Sequence, residues 1–182
     1  MKAFTLYQPW ASLVVMGAKP FEFRGWSPRE RGPAYAKLIG QRIVIHASAR
    51  PMVRSEIRAI VDNLQFGGAN AAATCLRPEE ALELLLPLYH FKKPDGLPLS
   101  AGLGTAILGE PRNGHDIAVQ EFGFPEQAVD ELPGLPGFDS DRREHANFGW
   151  PMLDVDRWDE PIPMRGFQGF WNWPTPAEAG LV

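Results

Sequence analysis

Residues 8–24, Gln-Pro-Trp-Ala-Ser-Leu-Val-Val-Met-Gly-Ala-Lys-Pro-Phe-Glu-Phe-Arg, restrict the possible fold more than any other stretch. The apolar residues Ala3, Phe4 and Leu6 predict a strand over 3–7 that ends at Gln8-Pro9. Leu13, Val14 and Met16 predict a short helix over 9–16, which Gly17 ends. Pro20 discourages further helix, and Phe21 and Phe23 alternate with Glu22 and Arg24, so 19–24 is predicted to be extended. A strand with that alternation puts Glu22 and Arg24 on one face and turns the phenylalanines into the core.

The later segments repeat the mixture of strand and helix. Arg42–Ala47 is a strong β-run bounded by Gly40. Ile57, Ile60, Val61 and Leu64 recur at helical spacing and predict a helix over Val53–Leu64, which the glycine- and alanine-rich stretch Gly67–Ala73 is expected to break. A second helix is predicted from Pro78 to Tyr89, with proline in the first turn and Glu79 and Glu80 near its positive end. Residues 27–36 read as a basic loop and 93–102 as a loop. Gly104–Gly109, Phe148–Val155 and Gly166–Trp173 read as strands, and 113–146 as an irregular acidic loop. A loop of that length in a compact domain is usually functional or mobile. The expectation is a single α+β domain over 1–182, a small β-barrel with flanking helices and a helical insertion at about 50–92.

With 182 residues, 45% of them hydrophobic, the chain is large enough to bury a core and is not a disordered sequence. No apolar run approaches the roughly 18 residues that would span a bilayer. The N-terminus runs straight into the Gln-Pro-Trp segment and does not read as a signal peptide. The lone cysteine, Cys75, allows neither an internal disulfide nor a thiolate metal cluster, and a reducing cytoplasm is the simplest compartment. The net charge of −4 argues against indiscriminate nucleic-acid binding, but it hides an asymmetry. Residues 1–58 hold 10 Lys or Arg against 3 Asp or Glu, whereas the remainder holds 8 against 19. Such a chain either presents a local basic face or pairs its two parts across the surface.

Lys19, Glu22 and Arg24 fall in the pattern G-x-K-x-x-E-x-R, between Trp10 and Trp26. In a partly buried cleft, a lysine beside a second cation loses proton affinity and can act as base or nucleophile. Glu22 could orient Lys19, move a proton, or accept hydrogen bonds from a base edge. The same residues could equally be a structural salt bridge that pins the strand. Trp10 and Trp26 offer flat surfaces for bases, worth about 1–3 kcal/mol each, or serve as core. Trp171 and Trp173, two apart on a terminal strand, read as core. His46 sits in an apolar strand, where a histidine is more often a satisfied core residue than a catalyst, and stays a secondary candidate. The histidines lack ligand spacing, so neither a metal nor a cofactor is expected. Arg29, Arg31, Lys37, Arg50, Arg54 and Arg58 could contact phosphates or form a solvated face.

Gln8-Pro9-Trp10-Ala11-Ser12-Leu13, followed by Gly17-x-Lys19-x-x-Glu22-x-Arg24, resembles the signature of the ASCH domain family, which shares the PUA-like β-barrel fold. Ile43-Val44-Ile45-His46-Ala47 resembles the strand that follows it. Pro161-Ile162-Pro163-x-Arg165-Gly166-x-Gln168-Gly169-x-Trp171 resembles the closing strand of bacterial and phage members. The resemblance implies RNA or single-stranded nucleic acid, or a modified nucleoside, as partner, and no membrane. The implied cleft is built from Gln8, Trp10, Lys19, Glu22, Arg24 and Trp26, with Arg50 and Gln168 at its rim. It also implies an alternative, a hydrolase. ASCH amidohydrolases that cleave N4-acylated cytidine carry K-x-x-T-x-R, and a metal-independent ribonuclease activity is attributed to a relative. In the first, Lys19 would activate water or attack directly with Glu22 in the acid–base role; in the second, Lys19, Glu22 and His46 would supply acid–base groups beside Arg24 as phosphate clamp. Here Glu22 stands where those amidohydrolases have the catalytic threonine, so their mechanism does not carry over intact.

Overall fold

Seven strands are joined into one sheet. They are β1 (Lys2–Leu6), β2 (Phe21–Arg24), β3 (Arg42–Ala47), β4 (Ala101–Leu108), β5 (Arg112–Asn113), β6 (Phe148–Pro163) and β7 (Phe170–Asn172). The structure is a computed structural model and describes residues 1–90, 96–126 and 147–174. The sheet order is β2-β6-β4-β3-β1-β7, with β5 paired to β6, and the sheet curls into a half-barrel. β1 runs parallel to β3, and the other pairings are antiparallel. The helices are α1 (Trp10–Val15), α2 (Pro33–Ala36), α3 (Arg54–Phe66), α4 (Gly68–Ala73), α5 (Pro78–His90) and α6 (Gly114–Phe122). The fold is mixed α+β with a barrel-like sheet, as expected.

All six residues of α1 are buried, so this helix is a plug in the core rather than an amphipathic surface element. Its Val14 and Val15 pack with Phe4, Leu6, Ile43, Ile45, Leu103, Leu108 and Trp150 inside the curl. Trp10 and Leu13 face the opposite way, into the layer formed by α3 and α5. Ile57, Ile60, Val61 and Leu64 of α3 are buried there, as their spacing predicts. Phe21 and Phe23 pack with Cys75, Ile117 and Phe124 in a third cluster beneath α4 and α6.

Several boundaries differ from expectation. Gly67–Ala73 does not simply interrupt the helix. Gly67, at φ 76°, ends α3, and the alanine-rich segment then forms α4, consistent with the high helix propensity of alanine. Pro33–Ala36 forms the short helix α2 inside the expected basic loop. Residues 114–122, expected to be irregular, form α6. The Asn113 side chain accepts hydrogen bonds from the His115 and Asp116 amides, and Gly123 closes the helix in the left-handed conformation. Residues 127–146 of that expected loop lie outside the described residues. β4 begins at Ala101, earlier than Gly104, because β3 and β6 flank it with hydrogen-bonding edges. β6 runs on to Pro163 through register shifts against β4, and β7 is confined to Phe170–Asn172.

One of those irregularities depends on a missing side chain. A Cβ on Gly104 would lie 2.4 Å from the Asp156 backbone carbonyl oxygen. The obstacle is the neighbouring strand itself, which cannot rotate away. Gly104→Ala is therefore expected to destabilise the fold by about 1–3 kcal/mol. A urea unfolding midpoint equal to that of the wild type would show that β4 and β6 are not in this close approach.

Candidate functional site

The chain between α1 and β2 folds back tightly. Gly17 adopts φ 77°, and the Lys19 amide donates to the Leu13 carbonyl at 2.9 Å, drawing Lys19 under the helix. The Met152 amide donates to the Pro20 carbonyl at 2.9 Å, and β2 then pairs with β6, Glu22 opposite Trp150 and Arg24 opposite Phe148. Directly paired residues share a face, so Glu22 and Arg24 point into the curl while Phe21 and Phe23 point away. That division matches the sequence alternation. The sequence left the depth open, and the depth is extreme, because Glu22 is 0% exposed and Lys19 1%.

Lys19 Nζ donates to Glu22 Oε2 at 2.8 Å and lies 5.0 Å from the Trp10 ring centroid and 5.8 Å from that of Phe23. Arg24 Nη2 is 2.7 Å from Glu22 Oε1, with the Arg24 side chain 29% exposed. No donor is aligned with Oε1 for a hydrogen bond, so this contact is an ion pair without a directed bond. One wholly buried carboxylate thus sits between two cations, one buried and one reaching towards solvent. Such a cluster carries a heavy desolvation cost, and partners that neutralise it have to be well placed.

An aromatic wall continues from Arg24. Its guanidinium lies 5.3 Å from the Phe4 ring centroid, and Phe4 meets Phe170 at 4.6 Å and Trp150 at 5.5 Å. Trp150 is fully buried, donates from Nε1 to the Trp26 carbonyl at 3.2 Å, and supports the Trp26 ring edge-on at 4.6 Å. Tyr35 of α2 meets both Trp26 and Phe170, and Arg31 covers Trp26 at 4.3 Å. Trp26, Tyr35 and Phe170 remain half-buried.

The expected site residues therefore separate. Lys19, Glu22 and Arg24 come together with Trp10 beneath and Trp26 nearby. Gln8 is buried, and its amide is occupied. Nε2 donates to the Pro98 carbonyl at 2.9 Å, and Oε1 accepts from the Ser12 amide at 3.2 Å. Arg50 is exposed, stacks 4.8 Å from the Tyr7 ring and pairs with Glu56 at 2.6 Å. Gln168 is exposed on the segment leading to β7. Trp171 is buried and Trp173 half-buried on the opposite face of the sheet. Tyr35 and Phe170 were not singled out by sequence. Tyr35 lay in a stretch read as loop, and the alternation that sends Trp171 to one face of β7 could have placed Phe170 on the other.

His46 is closed into a network. The Trp171 indole donates to Thr5 Oγ1 at 3.0 Å, that hydroxyl lies 3.2 Å from His46 Nδ1, and His46 Nε2 lies 2.9 Å from the Met164 carbonyl. A carbonyl only accepts, so Nε2 carries the proton and Nδ1 accepts from the threonine. Gly166 packs on the ring, where a Cβ would come within 2.2 Å of Cε1. Burial pushes the imidazole below its ordinary value, against the opposing hydrogen bond to Met164. The sign follows from linkage. The unfolded chain takes up a proton near the ordinary value of 6.5, which the folded state resists, so stability is complete above that pH and declines below it. The urea midpoint is expected to drop between about pH 7.5 and about pH 5.5, with a shallower drop in His46→Gln. Equal slopes in the two proteins would remove His46 as the source.

No family model matches the chain, and no curated protein matches it. Two further features bound the chemistry. Among the described residues, no group of three or more His, Cys, Asp or Glu could hold a metal ion, and no helix is long and apolar enough to cross a membrane. Burial pushes the Cys75 thiol well above its ordinary value, with the Lys19 charge opposing, so it is a poor nucleophile. A groove of about 840 Å³ opens on the side of β2 away from Glu22, lined by Lys19, Phe21, Leu76, Arg77, Phe122 and Leu153. Its acids are occupied, Glu121 by Arg112 and Asp154 by Arg42.

Proposed function

We propose that this protein is a nucleic-acid- or modified-nucleotide-binding module of the ASCH, PUA-like type, working in a reducing cytoplasm. The carrying observation is the wholly buried Glu22, whose Oε1 has no aligned hydrogen-bond donor although it lies between Lys19 and the partly exposed Arg24. The side of this cluster that meets solvent is Arg24, partly exposed and held 2.7 Å from that carboxylate. A nucleobase edge offers a carbonyl or ring nitrogen to this guanidinium, which Glu22 holds in place. A phosphate would be repelled by Glu22 and fits only further out. The curled mixed sheet with α1 plugged into it, and the G-x-K-x-x-E-x-R spacing, support the PUA-like assignment.

Binding is favoured over hydrolysis by the placement of Lys19. Its ammonium is held by Glu22 and covered by the Trp10 and Phe23 rings, whereas a nucleophile or general base must reach the reacting atom. Fluorescence anisotropy with single-stranded RNA and DNA, together with chromatography of N4-acetylcytidine incubated with the protein, tests the reading. Expected are salt-sensitive binding that weakens in Arg24→Ala and no deacetylation. Turnover lost in Lys19→Ala would replace the binding module with an amidohydrolase. Neither binding nor turnover would end both readings.

A further inference from the structure

Beyond Arg24, the aromatic wall reaches the surface through residues that the Glu22 site does not use. Phe170 links the two regions, touching Phe4 under Arg24 on one side and Tyr35 on the other. Tyr35 in turn stands edge-on to Trp26 at 5.7 Å. Trp26 and Tyr35 come from neighbouring segments, the turn after β2 and α2, and Phe170 joins them from β7 at the far end of the chain. Trp26 and Phe170 pack against Trp150, Tyr35 packs against both of them, and each of the three keeps part of its surface open. The Arg31 guanidinium carbon lies 4.3 Å from the Trp26 ring centroid, and a guanidinium is itself a surface on which a base can stack.

Most charged side chains between residues 29 and 42 are paired. Arg29 is matched by Glu110, Arg42 by Asp154, and Glu30 turns back to accept from the Ser27 amide at 3.1 Å. Arg31 and Lys37 are exposed and make no ion pair among the described residues. Rings that accept any base face, edged by cations without an ion partner among the described residues, match the chemistry of a single strand, in which bases stack and phosphates follow the cationic rim.

We propose that Trp26, Tyr35 and Phe170, edged by Arg31 and Lys37, form a stacking platform for the nucleotide adjoining the one read at Glu22 and Arg24, so that the ligand is a single-stranded polymer rather than a free nucleoside. The inference rests on the reading of the Glu22 site as a base-binding site and adds the substrate class. The platform explains why Phe170 of the closing strand meets Trp26 and Tyr35 beside Arg24, and why Arg31 and Lys37 have no ion partner among the described residues. Phosphates on its rim keep their distance from the Glu22 carboxylate.

The experiment is anisotropy with labelled single-stranded RNA and DNA of about ten nucleotides, at about 50 mM and about 200 mM salt, with a nucleoside monophosphate as competitor. Wild-type protein is expected to bind the oligonucleotide much more tightly than the competitor. Tyr35→Ala is expected to weaken oligonucleotide binding about ten- to a hundred-fold while leaving competitor affinity unchanged, and Tyr35→Phe to restore it. Arg31→Ala combined with Lys37→Ala is expected to flatten the salt dependence without altering the unfolding midpoint. Oligonucleotide affinity that is indifferent to Tyr35→Ala but lost in Arg24→Ala would overturn the platform and leave the Glu22 site standing. Wild-type protein that binds the competitor as tightly as the oligonucleotide would do the same. If neither ligand binds, both the platform and the base-binding site fall.

Discussion

Glu22→Gln is expected to destabilise the protein by about 3–5 kcal/mol, although the new side chain has almost the same shape. Among the described residues, Glu22 is the buried acid that meets both Lys19 and Arg24, at 2.8 Å and 2.7 Å. Without its charge, the Lys19 ammonium remains at 1% exposure with ring faces and a neutral amide for company. Arg24 is already partly exposed to solvent, whereas Lys19 is tied under α1 by its own backbone bond to Leu13. Most of the loss should therefore trace to Lys19. Combining Glu22→Gln with Lys19→Met, which removes the stranded cation at similar volume, is expected to recover a large part of it. Urea unfolding of the wild type, the single variant and the double variant measures this directly. A single variant within about 0.5 kcal/mol of the wild type, the range of an ordinary surface substitution, would mean that the carboxylate is hydrated.

Trp150→Ala is expected to cost about 3–5 kcal/mol and to disorganise the site from below. Trp150 is the largest fully buried side chain, stacked on Phe170 at 5.8 Å and an interplanar angle of 13°. It also touches Phe4 and Trp26 and holds the Trp26 carbonyl through its indole nitrogen. Its removal leaves a cavity that no neighbour can fill without leaving its own contacts. Trp150→Phe should keep much of the stability while losing the hydrogen bond to Trp26. Unfolding midpoints and oligonucleotide affinity should fall together across this series. A stable Trp150→Ala protein with an intact affinity would contradict the description of this residue as the support beneath the ledge.

The elements most legible in sequence were those whose pattern is local. The strand, plug helix, tight glycine turn and second strand across residues 2–24 follow from apolar spacing, Gly17 and Pro20, and the structure has them in that order. The helical spacing of Ile57 to Leu64 and the β-run at 42–47 were equally readable. Less legible were elements made by their neighbours. Ala101-Gly-Leu-Gly has weak strand propensity and becomes β4 because two strands flank it. The short helices α2 and α4 lack the length that makes a periodic signal visible. For α6 the capping Asn113 and closing Gly123 were in plain view, but an acidic composition outweighed them in the reading.

The sequence by itself determined that Lys19, Glu22 and Arg24 would meet, because three charges within six residues at a helix-to-strand turn cannot be far apart. It also determined that Glu22 and Arg24 share one face of β2, since the side chains of a strand alternate. Only the tertiary structure decided how deep they lie, because burial depends on α1 and β6 closing over them. The tertiary structure also turned Gln8 and Trp10 inward, since the Pro98 carbonyl and the α3–α5 layer take up what the local sequence offers. Trp150 and Phe170 reach the same place as Tyr35 across more than a hundred residues of chain, a convergence set by strand register that no local pattern encodes.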